Sequence, residues 1–568
     1  VARQHLNSYN EFIETGLQSI IDEIGGLEVE ALGNPYRVKF GKLIIGQPRA
    51  VEIDGSVSNI LPLESRLRDL TYSAPLYLDM VMEERGVAID SQRQHIGDLP
   101  IMVKSKLCAL SKLTEDQLVE IGEDRYDPGG YFIVHGSERV VVGLEDLSPN
   151  KVLVDIDKTG TTIAFKSRIY SSIVGYRSKL EISLKQDGAV NVKLPSSPVD
   201  LPIVTVLRTL GLETDKEIAD AISLRPEIQD LLEVSFEKSS ETPTTEDALV
   251  YMGNRVAHGM PDEFRVRKAL SVLDWGLLPH LGRKEENRFD KAMFISEAVC
   301  KLLELKLGWV VPDDKDHYGN KMIKFAGQMI ADLFRTSFRN LVRDLKYQLE
   351  RMGQRRGINV VGAAIRPGII KDKLANSVAT GNWGRGKVGV TQLLDRTNFL
   401  STTSHLRRIQ SPLSRTQPNF EARDLHATHF GRICPTETPE GANCGLVKNI
   451  ALSALISIST PVKDVIERLT ELGVISTREK REDKKAEDCK IFLNGWFMGF
   501  HKDGELLTSD FRDIRRKSGI HPHVGIAYFP PPAEKASKRV YVSTSAGRVL
   551  RPLIIVKKSK PLLTSEKI

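Results

Sequence analysis

One stretch of this 568-residue sequence, residues 381–451, limits what the chain can fold into more than any other. This basic stretch is rich in Gly, Pro, Arg, His and Thr and has few long apolar runs, so it cannot be an ordinary core element. From 381 to 432 it has three acids and eight basic residues, namely Arg385, Lys387, Arg396, Arg407, Arg408, Arg415, Arg423 and Arg432. Such clustering predicts contact with a polyanion.

The totals set wide limits on the class of protein. A chain of this length is expected to hold about three or four domains of roughly 150 residues each. A net charge of +6 is small for 568 residues, so the clustering of basic residues in one stretch is more informative than the total charge. Five cysteines without a CxxC pair disfavour a disulfide framework or a four-cysteine zinc site and favour a reducing compartment. No apolar run reaches about 18 residues, so we expect no membrane contact.

Local patterns predict a mixture of helices and antiparallel strands. Apolar residues recur at helical spacing over 6–24, which predicts an amphipathic opening helix. A long amphipathic helix is predicted over 325–352, where core packing explains the pattern. The turn residues at 158–160 and 187–188 each separate two strand-like runs, as in a hairpin. The sequence therefore predicts a multidomain α+β fold.

The sequence shows no self-sufficient catalytic set. GRGKVG at 384–389 matches GxGxxG, but no strand-like run precedes it and no acid follows at the spacing of a dinucleotide fold. The acidic group at 313–316 is interpreted as a charged loop that caps the next helix, because a metal site needs acids from several elements. The three histidines at 405, 426 and 429 lack zinc spacing to a cysteine. We therefore predict no catalytic residue and no metal in this chain.

Four motifs in the basic stretch are long enough to indicate a family. They are GNWG at 381–384, SHLRR at 404–408, HATHFGR at 426–432, and CPTETPEG at 434–441 with the following GLVKN at 445–449. On these motifs the chain resembles the second-largest, β-type subunit of multisubunit DNA-dependent RNA polymerases, in its archaeal and eukaryotic branch. Shorter matches such as DPGGYFIVHGSERV, DDKDHYGNK and RRKSGIHPHVG extend the resemblance over essentially the whole chain.

The resemblance implies a domain organisation. It covers the N-terminal half of such a subunit and is strongest to the N-terminal polypeptide of the subunit that several archaea divide in two, so we expect a natural end near residue 568. It implies that helices and antiparallel strands build four domains. These are a protrusion over 1–150 and 335–380, an inserted lobe over 151–334, a fork over 381–460 and the first part of an external domain over 461–568.

The resemblance also implies that three arginines grip an RNA–DNA hybrid. Arg407, Arg408 and Arg415 are similar to family positions near the RNA end of the hybrid. Such a hybrid is close to A-form, and a general polymerase must hold it through phosphates and sugars rather than base sequence. Guanidinium groups suit this task because they bond phosphate oxygens bidentately.

Further residues complete the expected nucleic-acid-binding set. Pro439, Glu440 and Asn443 are similar to family positions that line the RNA path, although a salt bridge within the loop is an open alternative for Glu440. The glycine loop carries Arg385 and Lys387, which could reach phosphates. Arg396 is expected either to contact DNA or to brace its own loop.

The implied function is that of a non-catalytic part of an RNA polymerase, a nucleotidyltransferase. The chain would form one side of the DNA cleft and hold the hybrid near the active centre, while the largest subunit holds Mg²⁺ and this chain binds no cofactor. Expected partners are the C-terminal half of the same subunit, the largest and other polymerase subunits, template and non-template DNA, nascent RNA and general transcription factors, in archaeal cytoplasm at the nucleoid. An assembly scaffold and a stand-alone nucleic-acid-binding protein stay open as alternatives.

Overall fold

The chain forms two compact units, each of which it enters more than once. The structure is a computed structural model that describes residues 1–31, 34–52, 54–159, 162–195, 197, 199–352, 362, 364–384, 388–417, 419–479, 487–557 and 559–564. Unit 1 comprises Val1–Asp146, Asp316–Ser457 and Gly547–Ile568, and unit 2 comprises Leu147–Lys315 and Ile458–Ala546. The boundaries of the protrusion, lobe, fork and external domains stay predictions.

Unit 1 opens with the amphipathic helix that the apolar spacing predicts over 6–24. It runs through Arg3–Glu11, a π-helical turn at Phe12–Gly16 and Leu17–Ile24. The helix ends at Gly25, whose φ of +70° suits glycine. Tyr9 and Ile20 on its apolar side are fully buried in the main core of the unit.

The predicted second helix crosses the same core as Ala326–Met352. Phe334 and Phe338 lie one turn apart on its buried side, with ring centroids 5.8 Å apart. Close packing against the opening helix requires Gly327, because a Cβ there would overlap the carbonyl oxygen of Ser8. Both long helices of unit 1 are therefore confirmed.

The strands of unit 1 form small sheets. The largest is antiparallel and contains, in order, Gly26–Ala31, Asn34–Ile45, Ser73–Glu84 and Val87–Pro100. A second sheet has the order Lys321–Lys324, Gly143–Leu147, Arg408–Gln410 and Val447–Asn449. A third has the order Thr391–Leu393, Ser137–Val141 and Phe132–Val134. Two-stranded pairs are Arg49–Val51 with Val57–Asn59, Leu455–Ile456 with Val549–Leu550, and Val556–Lys557 with Lys560–Pro561.

The further helical segments of unit 1 are Pro62–Leu67, Ala109–Lys112, Glu115–Glu120, Tyr318–Asn320, Gly368–Thr380, Phe399–Leu406, Phe420–Arg423, Ala427–His429 and Gly441–Asn443.

The described residues of unit 2 form two sheets. The first is antiparallel, in the order Val152–Thr159, Thr162–Ile173, Tyr176–Leu184, Val190–Lys193 and Leu201–Pro202. The second has the order Ile475–Ser476, Trp496–His501, Cys489–Leu493, Arg539–Ser543 and Gly525–Phe529. The turn predicted at 187–188 is confirmed, with φ of +87° at Gly188. The turn predicted at 158–160 extends beyond the described residues.

Helices fill the remainder of unit 2. They are Ile203–Thr209, Asp215–Ile222, Pro226–Asp230, Glu233–Glu237, Thr245–Val256, Asp262–Ser271, Val272–Gly276, Pro279–Leu281, Glu285–Asn287, Arg288–Lys306, Lys463–Glu471 and Gly504–Arg516. Arg288–Lys306 is buried along most of its length and is central to the core of this unit. The predicted multidomain α+β fold is thus confirmed.

The acidic group at 313–316 forms ion pairs rather than the helix cap that the sequence predicts. In unit 2, Asp313 lies 2.6 Å from the ammonium group of Lys301. In unit 1, Asp316 lies 2.9 Å from Lys321. Among the described residues, no group of three His, Cys, Asp or Glu side chains could hold a metal ion. Within the same residues, no helix is long and apolar enough to cross a membrane.

Candidate functional site

Short strands and loops make up most of the described basic stretch. Arg408–Gln410 pairs antiparallel with Val447–Asn449 and parallel with the start of Gly143–Leu147. The helix Phe399–Leu406 leads directly into this strand, and its N-terminus has a capping box in which Asn398 accepts from the Ser401 N–H at 2.8 Å. The sheet thus holds both ends of the segment 411–446, of which all residues but 418 are described.

A buried histidine fixes the end of that helix. His405 accepts from the Asp395 N–H at 3.2 Å through Nδ1, and its Nε2 lies 3.0 Å from the amide oxygen of Gln392. This arrangement requires the tautomer with the proton on Nε2. Burial, together with the positive charge of Arg408, lowers the pKa of His405 to about 4. His405 is therefore a neutral structural side chain at neutral pH.

Two of the predicted arginines bond to protein atoms. Arg407 donates through Nε to the Ile450 carbonyl at 3.2 Å and also bonds the Ala451 carbonyl, and burial lowers its pKa. Arg396 makes a bidentate contact of 2.6 and 3.0 Å with Glu138. It also bonds Asp127 at 3.1 Å. Both guanidinium groups brace the stretch, and whether they also touch nucleic acid stays a prediction.

Arg408 and Arg415 differ from these two. Arg408 is half-buried, and no hydrogen bond or ion pair of its guanidinium is found in the described part of the chain. Arg415 is exposed, and within that same part only its backbone carbonyl has a bond, accepted from Arg423 at 3.2 Å. These two cations are therefore the most available of the predicted arginines, while Arg385 and Lys387 lie outside the described residues.

The loop at 434–446 presents the other predicted residues at the surface. Pro439 and Glu440 are exposed, and Glu440 precedes the short helix Gly441–Asn443. Asn443 is half-buried, and its side-chain oxygen is buried without a hydrogen-bond partner among the described residues. An unsatisfied amide acceptor of this kind can take a hydroxyl or N–H donor from a ligand.

Arg423, which the sequence reasoning did not single out as a site residue, joins two loops of the stretch. Its guanidinium donates to the carbonyls of Ala442 and Cys444 at 2.9 Å each, in addition to Arg415. Gly445 allows this approach, since its φ is +72° and a Cβ there would overlap the Arg423 carbonyl oxygen. The segment near Arg415 and the loop near Asn443 are thus fixed to each other.

A buried ionic cluster supports the sheet from inside unit 1. Glu145 lies 3.0 Å from Lys448, 2.5 Å from Lys321 and 3.0 Å from the Tyr318 hydroxyl. Burial alone would raise the pKa of Glu145, but the two ammonium groups hold it below its usual range. Tyr318 also packs edge-on against His429, at 5.0 Å between centroids. No local sequence signal could have found this cluster, because Glu145 and Lys448 are 303 positions apart.

Sequence profiles of known families match three parts of the chain. The profile described as "RNA polymerase beta subunit" matches residues 1–371. The profiles of "RNA polymerase Rpb2" domains 3 and 4 match residues 392–456 and 491–557. The first profile alone covers more than half of the chain, and the second covers most of the basic stretch.

Curated relatives are similar over most or all of the chain. "DNA-directed RNA polymerase subunit Rpo2" of Saccharolobus shibatae is 46% identical over 577 residues, which cover 100% of this chain and 51% of the relative. "DNA-directed RNA polymerase subunit Rpo2N" of Methanococcus vannielii is 43% identical over 84% of this chain and 96% of its own length. The corresponding Rpo2N of Halobacterium salinarum is 42% identical over 84% and 93%. The chain therefore spans about half the length of the Saccharolobus relative.

Proposed function

This chain belongs to the RNA polymerase beta subunit family, and we propose that it is a non-catalytic part of a DNA-directed RNA polymerase. Its role would be to form one side of the DNA cleft and to hold the RNA–DNA hybrid near the active centre. Family membership and the matched length of the Rpo2N relatives support this assignment. The positions of Arg408 and Arg415 support the contact with nucleic acid.

The observation that carries the proposal is that Arg408 is half-buried as a residue, while no hydrogen bond or ion pair of its guanidinium is found among the described residues. A buried or half-buried charge costs free energy unless a counter-charge accompanies it, and none is found for Arg408 in the described part of the chain. A phosphate of the hybrid would supply that charge. Arg415 adds a second cation on an exposed loop of the basic stretch, where it can reach a sugar–phosphate backbone.

The loop at 434–446 would distinguish an RNA strand from a DNA strand. Asn443 would contact a ribose 2′-hydroxyl, the group that distinguishes RNA from DNA, through its half-buried side-chain amide. Glu440 is exposed beside it in sequence and can accept from a second hydroxyl. Pro439 stiffens the loop through its fixed φ. Arg407, Arg396 and Arg423 would keep these groups in place through their bonds to protein atoms.

The chemistry of nucleotide addition would come from other chains. We propose that the largest subunit holds the catalytic Mg²⁺, and that a C-terminal half of this same subunit completes the β-type subunit. The remaining partners would be the other polymerase subunits, template and non-template DNA, nascent RNA and general transcription factors. The work would take place in the archaeal cytoplasm, at the nucleoid.

Photocrosslinking tests the nucleic-acid contact directly. A polymerase assembled with this chain and carrying 4-thiouridine near the RNA 3′ end is irradiated, and adducts are mapped by proteolysis. We expect adducts within 404–449, and we expect Arg408→Ala with Arg415→Ala to reduce them. Arg468→Ala is the control, since Arg468 lies on the exposed helix Lys463–Glu471 and pairs with Glu471 at 2.6 Å.

Two results would support the alternatives instead. An assembled, active polymerase without adducts in 404–449 would favour an assembly scaffold. Elution of the native chain alone near 63.4 kDa from a cell lysate, without larger partners, would favour a stand-alone nucleic-acid-binding protein.

A further inference from the structure

The opening helix of unit 1 reaches the basic stretch at one backbone carbonyl. This carbonyl belongs to Leu406, the last residue of the helix Phe399–Leu406. It accepts from His5 Nε2 at 2.7 Å and from Gln4 Nε2 at 3.1 Å, although these donors lie 401 and 402 positions earlier in the chain. Arg407 follows Leu406 directly, so both donors act at the point where the arginine pair begins.

The contact with Leu406 settles the tautomer of His5. A carbonyl oxygen can only accept, so His5 donates through its Nε2–H. Burial lowers the pKa of His5 to about 4, so the ring is neutral at neutral pH and its Nδ1 carries no proton. Nδ1 has no hydrogen-bond partner among the described residues. Within that part of the chain, the bond to Leu406 is therefore the one hydrogen bond of this ring.

Packing holds the start of the opening helix in place. His5 is only 1% exposed, and its ring meets Phe325 edge-on at 5.1 Å between centroids. Elsewhere the helix start approaches Gly130, where a Cβ would lie 2.8 Å from the Cβ of Ala2. Gly130 also has a φ of +84°, which suits glycine. His5 thus donates from a packed position.

The end of the helix Phe399–Leu406 needs partners of this kind, because the last four carbonyls of an α-helix have none within the helix. The Ser404 carbonyl accepts from the Arg407 N–H at 3.0 Å, and the Leu406 carbonyl takes the two side-chain donors. Just beyond, the Arg407 carbonyl accepts from the Ile450 N–H at 3.1 Å. The transition from helix to strand is therefore fixed on both sides of Leu406.

The residue at which the helix ends decides which side chains of the next strand face the core. In the strand Arg408–Gln410, Ile409 is fully buried in a core cluster. Side chains alternate along a strand, so Arg408 projects from the opposite face. A shift of the strand by one residue would exchange the faces of Arg408 and Ile409. The bonds to Leu406 oppose such a shift.

We propose that His5 and Gln4 are positioning residues of the basic stretch, which set the register that keeps Arg408 on the face where nucleic acid would bind. This inference rests on the proposed function, because it acts through the phosphate contact of Arg408. Neither His5 nor Gln4 needs to touch nucleic acid. The opening helix thereby has a role in binding as well as in the core of unit 1.

The salt dependence of assembled elongation complexes tests the inference. His5→Phe combined with Gln4→Met removes both donors and nearly keeps the side-chain volume. We expect this double variant to weaken the complexes about two- to tenfold, as the loss of a buried hydrogen bond implies. It should also make the slope of log K against log salt shallower by up to about one, because the phosphate contact of Arg408 is weakened. In an Arg408→Ala background it should change the slope no further.

Two single variants complete the comparison. His5→Gln keeps an N–H donor at a similar reach and should keep the wild-type slope. Tyr9→Phe is the matched control, because Tyr9 is also buried on the opening helix and its hydroxyl donates to the Pro100 carbonyl at the same 2.7 Å. Its loss affects unit 1 without touching Leu406, so the slope should stay unchanged. Circular dichroism verifies the folding of each variant.

Amide hydrogen exchange of the full chain over 404–411 gives a second readout that needs no nucleic acid. The double variant should speed exchange there, and Tyr9→Phe should not. Unchanged exchange in the double variant overturns the inference. So does a further change of slope in the Arg408→Ala background, or a double variant that behaves like Tyr9→Phe while Arg408→Ala does change the slope. If Arg408→Ala itself leaves the slope unchanged, the proposed function fails at this residue, and exchange alone decides the positioning.

Discussion

The basic stretch of unit 1 and the buried helix Arg288–Lys306 of unit 2 differ in whether their charged side chains have ion-pair partners within the described chain. In unit 2, Glu297 accepts from Arg539 at 2.6 Å and from Lys490, and Glu304 accepts from the same Arg539 at 2.9 Å. Two buried acids thus meet one buried base, Arg539, and one half-buried base, Lys490. In the basic stretch, by contrast, Arg408 is half-buried with no partner among the described residues.

This difference separates charges that hold the fold from charges that await a ligand. A buried charge must be compensated, either by another part of the chain or by something that binds. The unit 2 network is complete within the chain, so its loss should unfold that unit. The guanidinium of Arg408 has no hydrogen bond or ion pair to lose within the described chain, so its removal should act mainly on binding.

The largest effect is expected for Arg539→Ala. Removing this guanidinium leaves Glu297 and Glu304 buried with Lys490 as their only remaining basic partner in the described network, and breaking a buried pair in this way costs about 3–5 kcal/mol. Chemical denaturation, followed by a spectroscopic probe in unit 2, measures the loss in the free energy of unfolding. Arg516→Ala, which removes a surface pair with Asp513, should change little. Equal stability of the two variants would show that the buried network of unit 2 contributes no more to folding than a surface ion pair.

Gly445→Ala should come next in size. The φ of +72° and the overlap of a Cβ with the Arg423 carbonyl should cost about 1–3 kcal/mol locally. Faster amide hydrogen exchange over 434–449 measures it. Gly441→Ala is the control, since Gly441 has a similar φ of +74° but open space around its Cβ position. The two variants would behave alike if backbone strain alone, without the contact to Arg423, explained the effect.

A pH-dependent effect is expected from His405. Its pKa is about 4 in the folded chain against an ordinary value of 6.5, so the unfolded chain binds more protons between these values. The neutral histidine therefore contributes full stability above pH 6.5, and this contribution is lost as the pH falls toward 4. Thermal unfolding from neutral pH downward measures the loss, which His405→Gln should reduce. His258→Gln, a substitution of an exposed histidine, is the matched control.

The smallest effect on stability, and the most informative on binding, is expected for Arg408→Ala and Arg415→Ala. Each should weaken assembled elongation complexes, so that they dissociate at lower salt, and should make the slope of log K against log salt shallower by about one, independent of sequence. The melting temperature of the chain should stay unchanged. Unchanged salt resistance together with lower stability would identify the arginines as structural.

Local sequence patterns were enough to predict helices and turns, but not the hydrogen bonds that individual side chains make. The helices over 6–24 and 325–352 follow from apolar spacing, and the turn at 187–188 follows from the freedom of glycine at positive φ. Arg407 and Arg408 are adjacent, yet the guanidinium of Arg407 bonds two backbone carbonyls, whereas no bond of the Arg408 guanidinium is found in the described part of the chain. That difference arises where a helix ends and a strand begins, and it depends on residues about 40 positions away, which no local pattern encodes.

The three bonds of Arg423 have a consequence for the thermodynamics of binding. Because one guanidinium already holds the backbone at Arg415 and at 442–444, both loops have lost much of their conformational entropy before any ligand arrives. Ordering a rotamer-rich side chain on binding costs about 0.5–1.5 kcal/mol, and ordering a free loop costs more. Contact energy gained by Arg415 and Asn443 would therefore appear as affinity instead of being offset by that cost. Preorganisation of this kind predicts a binding entropy less unfavourable in the native chain than in Arg423→Ala.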